Sequence, residues 1–145
     1  MSDGFDINEL DAFSQELLAI ANDTMPKETR KFLKKNAKQL SRVTKYIAES
    51  QAIGEVTGNY FNSFKSGKVY KFNGNLSCRS FNSSPHAHLI EYGHLYKGGF
   101  KVKGGEEKFI PGFYVFDKAV RDYSDTFFDE SEKFIDDVMK KGLSI

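Results

Sequence analysis

The chain has 145 residues, 39% hydrophobic and 28% charged, with a formal net charge of +1. That length suits one domain over residues 1–145 with a buried core, and the near-zero charge makes no demand for a nucleic-acid partner. A single cysteine, Cys78, excludes an internal disulfide and a cysteine-based zinc site, and no apolar run approaches the ~20 residues that cross a membrane.

The aromatic content is unusual, with 14 Phe and 7 Tyr but no Trp. Such rings either fill a core or stay exposed until neighbouring subunits cover them. The N-terminal stretch, Met1 to Asp6, is acidic and has no basic region, so no secretory signal peptide is expected. Asp6 and Glu9 have the spacing of a capping box, in which each side chain satisfies a backbone donor at a helix start. Leu10, Phe13, Leu17 and Ala21 follow at helical spacing, which predicts a first helix over Ile7 to Ala21. Asn22-Asp23-Thr24 is expected to break it.

Pro26 suits the first turn of a second helix, running to about Gln51 and ended by Gly54. Leu33, Ala37, Leu40, Thr44 and Ile47 form its expected buried stripe, widened by Phe32 and Val43. Its other face is strongly basic, through Lys27, Arg30, Lys31, Lys34, Lys35, Lys38, Arg42 and Lys45. Such a run is either a solvated face or one turned toward DNA phosphates or an acidic partner.

The period then changes from helix to strand. Lys68 to Phe72 and Asn75 to Phe81 flank Asn73-Gly74, a strong hairpin signal because both turn residues tolerate positive φ. Cys78 reads as a small strand residue, with no acid–base partner to make it a nucleophile. After the Ser83-Ser84-Pro85 turn, His86 to Tyr92 is expected to form one or two helical turns closed by Gly93. A glycine-rich loop at about 97–108 follows. Gly98-Gly99 could turn a second hairpin, His94 to Lys97 against Phe100 to Lys103, or the loop could order on assembly. Its glycines do not form a phosphate-binding loop, since Gly-x-x-x-x-Gly-Lys-Ser/Thr is missing.

A final helix is expected from Pro111 to about Lys140. Its apolar face draws on Phe113, Phe116, Val120, Phe127, Phe134, Ile135 and Val138, and its surface is acidic. The two long helices therefore carry opposite signs. They suit either side-by-side packing within one subunit or a heterologous, ring-closing contact between subunits.

No catalytic constellation emerges. His86, His88, His94 and Glu91 lie close in sequence, but no single helix or strand gathers all four as metal ligands. No nucleophile elbow or ordered serine–histidine–acid set is present. Glu91 sits in an otherwise apolar stretch, where it would accept backbone amides or pair with a base such as Arg79, orienting the turn that follows.

Three short signatures carry a family resemblance. They are Thr57, Gly58, Tyr60 and Ser63; then Pro85, Ala87, Ile90, Glu91 and Gly93; then Pro111, Phe116 and Ala119. In this order and spacing the chain resembles the phage tail-completion, or head–tail joining (neck), family typified by the gene-ten product of the HK-type lambdoid phage. The match covers nearly the whole chain, although each motif alone is weak. It departs at His86, where the family usually has Tyr, and at His94, where Thr is common. The resemblance implies an α+β protein: two N-terminal helices, a small antiparallel hairpin sheet, a short helix, a long loop and a long acidic C-terminal helix. It further implies a non-enzymatic ring, of hexamer type, in the neck of a tailed phage, prophage particle or tail-like bacteriocin. The implied partners are copies of itself, a head-side connector or adaptor, and a tail terminator or tube protein. No cofactor or membrane contact is implied, and assembly would take place in the bacterial cytoplasm. The loop residues Lys97, Phe100, Lys103 and Lys108 are the expected neighbour contacts. The basic face (Lys31, Lys34, Lys35, Lys38 and Arg42) would meet a partner or passing DNA.

Overall fold

A computed structural model describes residues 7–54, 58–96 and 107–143. The architecture is α+β, with a long N-terminal helical rod, short antiparallel ribbons, a short helix and a long C-terminal helix. Asp6 of the expected capping box, Thr57, and the stretch containing Lys97, Phe100 and Lys103 lie outside the described residues.

The rod corrects the expected break at Asn22-Asp23-Thr24. Helix α1 (Ile7–Ala19) passes through a π-helical segment (Ile20–Thr24) directly into α2 (Met25–Ser50). Thr24 and Met25 both keep right-handed helical angles, and the Met25 N–H donates to the Ile20 carbonyl five residues back. A proline normally stops a helix because its ring meets the carbonyl four residues earlier and it has no N–H to give. The widened turn carries the helix past Pro26 without stopping it. Helix α2 ends before Gly54, because Gln51 is already extended at ψ 155°.

Helix α4 (Val115–Gly142) packs antiparallel on α2. The direction follows from the contacts Glu28–Lys141, Lys35–Glu130, Asn36–Tyr123 and Gln51–Lys118, in which one number rises as the other falls. Phe32 stacks on Phe134 with ring centroids 4.5 Å apart and tilts against Phe127 at 5.8 Å. A Cβ on Gly142 would collide with the Ile20 side chain, so the end of α4 fits closely over the π segment. The expected helix start at Pro111 is corrected. Pro111 ends a strand, and the helix begins at Val115 after Tyr114, which adopts the left-handed conformation at φ 50°, ψ 48°.

Two of the ribbons form one interrupted hairpin. Strand β1 (Phe64–Ser66) pairs with β4 (Ser80–Asn82), and β2 (Tyr70–Phe72) pairs with β3 (Asn75–Ser77). The Asn73-Gly74 turn forms as expected, with φ of 49° and 80°. The longer expected strands do not form. Between the ladders the Gly67 N–H donates to the Arg79 carbonyl at 2.8 Å, and the Cys78 thiol donates to the Gly67 carbonyl at 3.3 Å. Cys78 therefore sits in the interruption rather than within a strand.

Helix α3 (Ala87–Tyr92) runs into β5 (Gly93–Tyr96), which pairs antiparallel with β6 (Lys108–Pro111). In this register His94 lies opposite Ile110 and Tyr96 opposite Lys108, while Lys97 and Phe100 to Lys103 of the expected hairpin lie outside the described residues. Lys108 is a strand residue rather than part of a loop. The core cluster joins Ile47, Ala48, Tyr60, Val115 and Ala119.

Candidate functional site

The three sequence signatures meet in space. From the first, Tyr60 is buried in the core cluster; from the second, Ala87 and Ile90 pack against it; from the third, Ala119 is fully buried in it. Gly58 turns the chain at φ 73° and its carbonyl accepts the Asn62 N–H. Ser63 donates its hydroxyl to the Asn59 carbonyl at 2.5 Å and offers its own carbonyl to the Ser83 N–H at 3.0 Å. Asn82 donates to the Tyr60 carbonyl and accepts from the Ser84 N–H, both at 2.8 Å. These bonds hold the first signature against the turn that carries Pro85, which is itself exposed.

Glu91 is the keystone of this junction. Its carboxylate accepts the Phe116 N–H at 3.1 Å and the Asp117 N–H at 3.4 Å, so a side chain from α3 caps the start of α4. Helix starts leave such donors unpaired, and a carboxylate suits the positive end of the helix dipole. Glu91 does not pair with Arg79, which lies over the Phe81 ring at 5.3 Å. The backbone closes the same joint. The Phe113 N–H donates to the Ile90 carbonyl at 2.8 Å and the Tyr114 N–H to the Glu91 carbonyl at 3.2 Å.

Gly93 and Gly112 lie back to back here. A Cβ on Gly93, at φ 88°, would meet the Ile110 carbonyl and the Gly112 nitrogen; one on Gly112 would meet the Glu91 carbonyl and the Gly93 nitrogen. Gly93 was legible in the sequence as a helix-closing glycine. Gly112 was not singled out, although the Pro111-Gly112 pair was the available signal.

The basic face of α2 is exposed at Lys31, Lys34, Lys35, Lys38 and Arg42. Lys35 reaches Glu130 of α4 at 3.5 Å, and Lys31 reaches Glu28 at 3.5 Å. The opposite signs of the long helices are thus partly matched within one subunit. Lys34, Lys38 and Arg42 make no ion pair among the described residues, and their spacing puts them on one helix face.

Beneath the α2–α4 interface, Tyr123 contacts the Asn36 amide oxygen at 2.5 Å and the Gln39 side chain at 2.7 Å. Burial, reinforced by the charge of Glu130, raises the Tyr123 pKa above its ordinary 10.0. Asn36 and Tyr123 were missed in the sequence, since a buried Asn carries no periodic signal.

The histidines do not converge on a ligand. His86 and His88 are exposed, and His94 is half-buried with its Nδ1 unpaired. Among the described residues no three His, Cys, Asp or Glu side chains gather as a metal site, and no helix is long and apolar enough to cross a membrane.

What the molecule displays is apolar surface. Tyr92, Leu95, Tyr96, Phe109 and Tyr114 are exposed around the β5–β6 ribbon, with Tyr92 and Tyr114 edge to face at 6.4 Å. Leu10, Phe13, Leu17 and Leu18 are exposed along α1. A shallow, mainly apolar groove of about 300 Å³ opens between α2 and α4, lined by Leu33, Ala37, Leu40, Val120, Phe127 and Phe128 among others. Scattered exposed apolar residues are ordinary, but grouped ones mark contact surfaces. No protein-family model, curated protein or solved structure matches the chain.

Proposed function

We propose that the chain is a structural assembly protein, a tail-completion or neck component of a tailed phage, a prophage particle or a phage-tail-like particle. It acts by forming a ring, of the hexamer type the family resemblance implies, and by binding a head-side connector and a tail terminator or tube. One observation carries the reading: three signatures far apart in sequence build one buried junction, while large apolar side chains stand exposed on the ribbon and the N-terminal rod. A fold that needed those side chains for its own core would have buried them; an assembling subunit keeps them for neighbours.

The test is co-assembly. The purified chain is mixed with connector rings and tail proteins encoded beside it, and the products are imaged by electron microscopy. A collar added to the connector is the expected outcome; connectors that stay bare under all conditions contradict the proposal.

A second reading is favoured by Lys34, Lys38 and Arg42, exposed and free of ion pairs among the described residues. As a nucleic-acid-binding module, or as the lumen face of a ring that DNA traverses, this stripe would bind phosphate non-specifically. Replacing each residue by Gln should lower the salt dependence of DNA binding by about one counterion. No binding at low salt removes this reading.

A further inference from the structure

Helix α1 poses a physical problem. Every residue whose burial is described from Asn8 to Ala19 is exposed, including Phe13 at 48% and Leu18 at 59%. A helix of 13 residues is marginal in water on its own, and most helices gain stability by packing an amphipathic face. Leu10, Phe13 and Leu17 form such a face, flanked by Glu9, Asp11 and Glu16, with no basic residue in the helix. The arm cannot fold back onto its own subunit, because the π segment continues it into α2 without a turn. Apart from a contact with α4, it therefore continues the rod for about 20 Å with its side chains exposed.

The complement is on the same molecule. The groove between α2 and α4 displays Phe128 at 65% exposure and Val120 at 54%. Arg30 and Lys34 lie one turn before Leu33 and Ala37, two of its lining residues, and therefore border the groove with positive charge. The arm and the groove match in polarity, and the acids of the arm match the α2 edge in sign, while the α4 edge carries Asp125 and Glu132 one turn from Phe128.

We infer that α1 of one copy docks in the α2–α4 groove of a second copy, a helix-in-groove contact. The pairing is heterologous, so it propagates from subunit to subunit and gives a ring where the rotation between copies closes. Charge decides against the alternative in which two α1 arms pair with each other, since that would bring two purely acidic helices together. This inference rests on the assembly reading above and adds which faces join.

The test uses two variants of the full chain, Phe13→Glu on the arm and Phe128→Glu in the groove. Both side chains are exposed, so both variants should keep the wild-type circular dichroism; Leu17→Gln and Val120→Gln serve where glutamate costs helicity. Sedimentation velocity is run on each protein. The wild type should self-associate by about 100 μM, and each variant should weaken this by about 10- to 100-fold. Mixed together, the two variants should form a one-to-one dimer and nothing larger, because one intact arm and one intact groove remain.

A wild type that stays monomeric at that concentration overturns the inference. So does loss with Phe13→Glu but not Phe128→Glu, which is arm-to-arm pairing, or a mixture that forms no dimer. Binding of the wild type to phosphatidylcholine vesicles without self-association also overturns it, identifying the arm as lipid-seeking. The collar experiment reads connector binding independently, so failure of this contact and failure of the neck proposal are distinguishable.

Discussion

The Glu91 junction and the α1 arm use the chain in opposite ways. At the junction a carboxylate, two glycines and several backbone bonds close around each other with no room for a methyl group. Along the arm no side chain described from residue 8 to 19 is buried. The first region spends its sequence on its own fold; the second presents an apolar face the fold does not use. Substitutions should therefore separate into those that unfold the molecule and those that leave it folded but alone.

The largest effect is expected at the glycines. Gly112→Ala or Gly93→Ala forces a Cβ into backbone atoms, and at Gly93 adds the strain of φ 88°. We expect a loss of about 3 kcal/mol or more in urea denaturation. A loss below about 1 kcal/mol would mean the joint can open to admit a methyl group.

Next comes Glu91→Ala, which uncaps α4 and leaves two amides unpaired, at about 2 kcal/mol. Glu91→Gln keeps one acceptor oxygen and should cost less. Equal losses for both would show that a neutral acceptor oxygen does not cap the helix and that the carboxylate charge carries the effect.

Tyr123→Phe should cost about 1 kcal/mol by leaving the buried Asn36 oxygen without a donor. Its pH dependence sharpens the point. Burial and Glu130 raise the folded-state pKa of Tyr123, so the unfolded chain loses this proton first. The associated stability is fully present below pH 10, the unfolded value, and declines as pH rises through the folded one. Tyr123→Phe should flatten that alkaline decline in thermal melts; an unchanged slope would assign it to other groups.

The smallest effect on the monomer is expected in the arm. Phe13→Glu and Leu18→Gln should move stability by no more than about 0.5 kcal/mol, despite removing large apolar side chains. A greater loss would show that α1 packs within its own subunit.

What was legible in the sequence was mostly local. Asn73-Gly74 announced its turn because the positive φ needed there selects those two residues. Glu91 announced itself as an acid in apolar company, and Gly93 as the glycine after a short helix. The rest depended on partners distant in sequence. The helix passes Pro26 through the π turn over Ile20–Thr24, where Ile20 is covered by the end of α4 at Gly142, which no local signal conveys. The pairing of β5 with β6, which sets Pro111 opposite Gly93 at the joint, joins segments too far apart for a local signal to convey. Pro111 read as a helix start, yet two donors at the start of α4 are satisfied by Glu91, 25 and 26 residues earlier in the chain. The opposite charges of α2 and α4 were visible, but only the fold shows that Lys35 and Glu130 meet within one subunit.

Hydrogen exchange compares the two regions in one experiment. Amides of α4 near Phe116 and Asp117 should exchange slowly whether the protein is dilute or concentrated, since Glu91 and the core hold them in every state. Amides of α1 should exchange fast when dilute and become protected as concentration rises and arms find grooves. An arm equally protected at all concentrations, or unprotected even in the assembled state, would contradict the account.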